Sequence, residues 1–242
     1  SIDAAKLSGA TGASRVAILN DLQAQGHALG HIAPANLRRV IDGPQLAGAP
    51  MLVVGLGTGV NAAPVHGAGA TRVVPPSECG HVNKPVRSEE DLNLMRFMER
   101  LLASRGEVAH CGVDEVLLGR GLAFLYAFAA DQAGRPGALT SAEVLTALYR
   151  GDAIATQAAR LYTRILGQTL ADQALIHLPY GGIYLIGGMS RAMTPHFADF
   201  GLSGVFREAR RVDLLEKDFS VTVVEDDYAA LTGCAAWVDA QG

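Results

Sequence analysis

Three short stretches of this chain combine residue types that could do chemistry. Gly55-Leu56-Gly57-Thr58-Gly59 follows the apolar run Met51-Leu52-Val53-Val54, which reads as a short buried strand. Three glycines around a threonine make a turn whose amides and hydroxyl can approach phosphate oxygens closely, because no side chain stands in the way. Ser77-Glu78-Cys79-Gly80-His81 places a carboxylate and an imidazole three residues apart on a glycine-containing turn. That pair accepts and donates hydrogen bonds to vicinal hydroxyls. Asn20-Asp21 closes a third apolar run, Arg15-Val16-Ala17-Ile18-Leu19, putting an amide and a carboxylate at the end of an expected strand. Open α/β sheets bind ligands at the C-terminal ends of their strands. Read together, the three clusters suggest a sugar kinase. The glycine loop alone would not.

Each cluster also has a plain structural reading. Asp21 could be a helix N-cap after a strand, and Glu78 with His81 a salt-bridged turn. Taken alone, Gly55–Gly59 is more often a structural turn than a phosphate site. It fails the dinucleotide-binding fingerprint, since Val60 occupies the third glycine position. Glu78-x-x-His81 lacks the further ligands of a metal centre. Only the joint order of the clusters lifts the kinase reading above these alternatives.

Composition sets the outer bounds. The chain has 242 residues, of which 49% are hydrophobic, enough for a substantial core, and its 28 glycines point to many tight turns. A net charge of −4 gives no electrostatic footprint for nucleic acid or an anionic membrane. Cys79, Cys111 and Cys234 show no CxxC spacing, which argues against a disulfide framework and favours a reducing cytoplasm. No apolar run approaches transmembrane length, and the first residues do not read as a signal peptide. The chain opens without methionine, inside an apparent helix, and so reads as a fragment or a processed form.

The elements that must position the clusters alternate along the chain. A helix end over 2–8 is closed by Gly9-Ala10-Thr11-Gly12, followed by the strand at 15–19 and helical composition over 22–29, interrupted by Gly26 and Gly30. Strands are expected at 51–54 and 71–74. Ser88-Glu89-Glu90-Asp91 is an acidic helix start before a 3–4 periodicity in Leu94, Phe97, Leu101 and Leu102. Thr140 and Glu143 have capping-box spacing for a helix over 141–149. A long apolar helix over about 152–177 has burial on most faces. Strand 183–186 ends in Gly187-Gly188-Met189, strand 220–224 ends in Glu225-Asp226-Asp227, and a last helix runs from about 228 to 238.

This ordered set resembles the bacterial-type glucokinases, members of the hexokinase/actin-like sugar kinases. Asn20-Asp21, Gly55-x-Gly57-Thr58-Gly59 and Glu78-Cys79-Gly80-His81-Val82 all stand where that family carries similar motifs. So do Ser88-Glu89-Glu90, Val116 to Leu122, Ile183 to Met189 and Ala230-Leu231-Thr232-Gly233. The resemblance implies an α/β, actin-like (ribonuclease-H-like) fold with two lobes around a cleft. It implies residues 1–30 as a remnant of the small lobe and 31–221 as the large lobe with the sugar and nucleotide sites. Residues 222–242 would be a C-terminal helix returning to the small lobe. It implies ATP-dependent phosphorylation of the 6-hydroxyl of glucose, the first step of glycolysis, in a cytoplasmic homodimer, with Mg2+ carried by the nucleotide. Asp21 is then the catalytic base, and Asn20, Glu78, His81 and Asp114 contact the sugar. Gly57, Thr58 and Gly59 resemble a phosphate-binding loop, and Gly187-Gly188 the adenosine-side turn.

The sequence also departs from that pattern. An Asp-x-Gly-Gly-Thr-type phosphate loop is absent, so the N-terminal lobe is expected to be incomplete. Asp114 falls where the family has a sugar-binding glutamate, one methylene longer, and Glu115 is a candidate to compensate. Asn61 replaces a glycine, and because Asn tolerates a left-handed backbone the change is expected to be mild. A non-catalytic sugar-binding or regulatory remnant of a glucokinase is the alternative reading.

Overall fold

The apolar runs at 51–54, 183–186 and 221–224 do pair, in a computed structural model that describes residues 3–241. They form the centre of a five-stranded sheet of β1 (Leu37–Ile41), β2 (Met51–Leu56), β3 (Val60–Val65), β4 (Ile183–Ile186) and β5 (Val221–Val224), in the order β1-β5-β4-β2-β3. The neighbours β2, β4 and β5 run parallel. The edge strands β1 and β3 are antiparallel to β5 and β2. Both edges escape a reading based on apolar runs. Arg38 and Arg39 interrupt β1, and β3 carries Asn61, two alanines and Pro64, a residue that edge strands tolerate.

Two expected strands are not strands. Residues 15–19 have no regular secondary structure and find no ladder partner among the described residues, and Ile18 is exposed. The stretch at 71–74 follows a 3-10 turn, Gly69–Thr71, and makes only an isolated bridge from Val73 to His66.

The helices are α1 (Ala4–Thr11), α2 (Asp21–Ala28), α3 (Glu89–Ser104), α4 (Val113–Leu117), α5 (Gly121–Gln132) and α6 (Ser141–Tyr149). They continue with α7 (Ala153–His177), α8 (Gly188–Met193), α9 (Leu202–Phe206), α10 (Leu214–Lys217) and α11 (Ala229–Ala240). The expected start of the first helix at Ile2 lies outside the described residues. Gly12, at φ 71°, closes α1. The capping box at Thr140 forms as its spacing requires, with the Thr140 amide donating to Glu143 at 2.8 Å.

Strand alternation divides the core into two layers. Leu52, Val54, Leu185, Val221 and Val223 face the α3–α7 side, where α7 is buried along most of its length. Val53, Ala63, Val65, Ile186 and Val224 face α2 and α11. Those two helices touch backbone to backbone: a Cβ on Gly233 would stand 1.6 Å from the Ala24 carbonyl oxygen.

The acidic start of α3 does more than favour a helix dipole. Ser88 caps the helix by accepting from the Asp91 amide at 3.1 Å. Asp91 is 1% exposed, pairs with buried Lys84 at 3.6 Å and takes a 2.8 Å bond from Arg164 on α7. Arg164 also holds Glu90. Burial alone would raise the Asp91 carboxyl. The Arg87 amide, the Lys84 ammonium, the Ser88 hydroxyl and the Arg164 guanidinium outweigh it and hold the group below the ordinary 3.8.

Asp91→Ala leaves the Lys84 ammonium buried without a countercharge, its bond to the Pro85 carbonyl aside, and is expected to cost about 3–5 kcal/mol in chemical denaturation. A carboxyl depressed in the folded state stabilises above its unfolded pKa and loses that contribution as pH falls through the folded value. The parent's acid-denaturation curve should therefore carry a component below pH 3.8 that the variant lacks.

Candidate active site

Because β2, β4 and β5 are parallel, their C-terminal ends, Leu56, Ile186 and Val224, lie along one edge of the sheet. Two glycine turns emerge there. Gly57-Thr58-Gly59 is the tip of the β2–β3 hairpin, closed by the Leu56–Val60 pair and by a 3.1 Å bond from the Gly57 amide to the Gly59 carbonyl. The Gly119 amide ties this tip to the α4–α5 break through a 2.7 Å bond to the Gly57 carbonyl. Gly187 leads from β4 into α8 at φ 112°, and a Cβ there would lie 2.3 Å from the Leu56 carbonyl oxygen. Cβ positions on Gly57 and Gly188 would meet only open space, so a ligand can reach the backbone at both.

A cleft of about 350 Å³ opens over this edge. Asp21, the Gly57–Asn61 stretch, Glu78, His81, Asp114 and Gly187 line it, with Gln25 alongside. A second hollow of about 680 Å³ shares Gly57, Thr58 and Asp114 and adds Leu118, Arg120, Gly188 and Met189. The glycine tip is the partition between the two. Of the sequence-predicted site residues, Asn20 sits one residue outside the cleft lining and Gly188 lines only the second hollow; the others line the cleft.

Asn20, not Asp21, caps α2. Its Oδ1 accepts from the Leu22 amide at 2.9 Å, and Gln23 accepts from the Asn20 amide at 3.2 Å. With Oδ1 committed to the cap, Nδ2 is the polar atom of the Asn20 side chain that the cap does not use. Asp21 is the first helical residue, exposed at the cleft, with its charge at the helix N-terminus where it is favoured. Glu78 and His81 flank a 3-10 turn, 3.8 Å apart, with side chains 81% and 69% exposed. So exposed a pair contributes little stability, which leaves both groups able to turn to a ligand.

Asp114, on α4, is bound to the glycine tip: its Oδ1 accepts from the Val60 amide. Glu115 does not take its place facing the cleft, because its carboxylate accepts from the Gly112 amide at 2.9 Å. Cys79 is half-buried in the same turn. Burial pushes its thiol up, against the hydrogen bonds that pull the other way, so it stays a neutral thiol.

Two features escaped the sequence reading. Gly80 crosses β3 so closely that a Cβ would lie 2.1 Å from the Val60 carbonyl oxygen. Asn61 is not left-handed, since Leu178 alone among the described non-glycine residues has positive φ. It is a strand residue opposite Gly55, and its carboxamide grips the Ser77–Cys79 segment. A polar residue two positions past the glycine turn was the available signal.

A mixed α/β sheet with glycine turns at its parallel strand ends is the fold of a set of sugar kinases. The model overlays a glucokinase from an Antarctic psychrotroph with TM-score 0.87 at 22% identity, covering 97% of this chain and 72% of that one. It overlays a glucokinase from Balamuthia mandrillaris in complex with glucose with TM-score 0.76 at 18% identity, covering 93% and 65%. A ROK-family glucokinase from Streptomyces griseus, in complex with glucose and AMPPNP, gives 0.65 at 18% identity, covering 99% and 72%. The glucokinase family model matches residues 1–241, and the chain belongs to that family. Among its relatives, the glucokinase of Marinobacter nauticus is 32% identical over 93% of this chain and 68% of its own length. That of Mesorhizobium japonicum is 28% identical over 93% and 65%. The chain thus spans about two thirds of the length of these relatives.

Gly187→Ala combines a disfavoured φ with a collision against Leu56 and should destabilise the protein by about 1–3 kcal/mol in denaturant titration. The exposed Gly134→Ala, at φ 65° with nothing within 4 Å of its Cβ position, isolates the conformational part and should cost less.

Proposed function

We propose that this protein transfers a phosphoryl group from ATP to the 6-hydroxyl of glucose, the opening reaction of glycolysis. The observation that carries the reading is the convergence of Asp21, Glu78 and His81 on the Gly57–Gly59 tip in one cleft. Phosphoryl transfer asks little covalent chemistry of a protein. It asks for an aligned hydroxyl, a nearby carboxylate and neutralisation of phosphate charge.

In this reading Glu78, His81 and Asn20 Nδ2 hold sugar hydroxyls, with the free Asp114 oxygen at the back of the cleft. Asp21 accepts the proton of the attacking hydroxyl at its exposed carboxylate. Thr58 and the open amides of the glycine tip face the phosphates, and Gly187-Gly188 with Met189 line the nucleotide side. The oxygen donors at the cleft, the Asp21 carboxylate and the Thr58 hydroxyl, suit a hard ion borne on phosphates. Magnesium carried in that way would neutralise charge on the transferring group, facing Thr58 and Asp21.

The two-lobed actin-like arrangement, with residues 1–30 and the C-terminal helix on one side and 31–221 on the other, belongs to the same proposal. The close α2–α11 packing joins the two segments it groups, and both helices rest on the sheet face that carries Val53, Ala63 and Ile186. A cytoplasmic homodimer rests on the family resemblance. No helix among the described residues is long and apolar enough to cross a membrane. The fold alone does not choose catalysis, because a ROK-family transcriptional regulator also overlays the chain, with TM-score 0.66 at 16% identity.

Turnover decides it. Coupled ADP release with glucose and ATP should fall about 10²–10⁴-fold in Asp21→Asn, with glucose affinity little changed. Glu78→Ala and His81→Ala should weaken glucose binding by about 1.5–3 kcal/mol in calorimetry. Full turnover in Asp21→Asn removes that residue from the mechanism, and parental affinity in Glu78→Ala moves the sugar site elsewhere.

A further inference from the structure

We infer that Asn61 is a positioning residue: its carboxamide fastens the turn that carries Glu78 and His81 to the strand that begins at the glycine tip. The inference rests on the assignment of Glu78 and His81 to the sugar. Both ends of the planar amide are used. Nδ2 donates to the Ser77 carbonyl, and Oδ1 accepts from the Cys79 amide at 3.2 Å and from the Ala62 amide at 2.9 Å. The Ser77 hydroxyl lies 2.9 Å from the same Oδ1 and is also placed to donate to the Ala62 carbonyl. Glu78 is therefore bracketed, with Ser77 and Cys79 on either side pinned to one side chain.

The neighbouring residue completes the joint. The Val60 amide donates to Asp114, and the Val60 carbonyl is the surface that Gly80 crosses. Two consecutive residues of β3 thus join the glycine tip, α4 and the Glu78–His81 turn. The Glu78 and His81 side chains lie 3.8 Å apart and are largely exposed, so they do not set where the turn sits. Asn61 does so together with the Gly80 crossing.

Removal of the carboxamide should loosen the turn without unfolding the protein, because the Gly80 crossing and the 3.0 Å bond from the Val113 amide to the Val82 carbonyl remain. Asn61→Ala is expected to raise KM for glucose about tenfold while kcat stays within about twofold and KM for ATP moves less. Amide hydrogen exchange at Cys79 should accelerate with no sugar present. Asn61→Asp sets a carboxylate oxygen against the Ser77 carbonyl where the amide donated, and should be at least as impaired in glucose KM as alanine. Ser77→Ala, a gentler cut at the same joint, should shift KM in the same direction by a smaller factor. Parental KM for glucose in Asn61→Ala, beside a Glu78→Ala variant that is impaired, overturns the inference and leaves the sugar assignment standing. Parental KM in Glu78→Ala removes the assignment itself, and unchanged Cys79 exchange in Asn61→Ala overturns the fastening independently of any sugar. An Asn61→Asp variant with the parental glucose KM also overturns it.

Discussion

Two backbone carbonyls, those of Leu56 and Val60, leave no room for a side chain on the segments that cross them. Gly187 passes the first and Gly80 the second, at separations where a Cβ would lie 2.3 and 2.1 Å from oxygen. The start of α8 and the 77–81 turn are thereby drawn onto the β2–β3 hairpin, although they are remote from one another in sequence. The Gly119 amide adds the α4–α5 break at the same place. The cleft follows from this crowding. Its floor is bare backbone, which can approach a ligand, and its walls are side chains delivered by α2, α4 and the turn.

The groups that hold this arrangement differ in burial from those assigned to chemistry. Asp91 and Lys84 are buried, and with Arg164 they tie the chain leaving the turn to the start of α3 and the middle of α7. A buried pair of that kind is costly to break from one side, which fixes the path of the chain into α3. Asp21, Glu78 and His81 are exposed and pay almost no part of the fold's stability. Asp21 also gains from its place at the start of α2, where the helix dipole favours a carboxylate.

The central strands were legible because β2, β4 and β5 are buried and read as apolar runs; the glycine turns after β2 and β4 followed from them. Helices α6 and α7 were legible from the Thr140 capping box and from apolar spacing. Residues 15–19 misled because an apolar run says what a segment could pair with, not that a partner lies beside it. Edge strands β1 and β3 were hidden, since Arg38, Arg39 and Pro64 are tolerated only at an edge, and edge position is a property of the sheet. In the site, residue types singled out Asp21, Glu78, His81 and Gly57–Gly59, which line one cleft. They could not show that Asn20 is the cap, that Glu115 turns to Gly112, or that Asn61 grips Ser77 and Cys79. Those depend on hydrogen bonds between segments that meet only in the folded chain.

The central claim is that one cleft, between the glycine tip and the Glu78–His81 turn, receives glucose. A backbone amide NMR titration with glucose tests it most directly. The account predicts shifts concentrated at Asn20–Leu22, Gly57–Asn61, Ser77–His81 and Asp114, with the α6 and α9 amides unmoved. Shifts centred elsewhere in the protein, or a spectrum unchanged at saturating sugar, would contradict it.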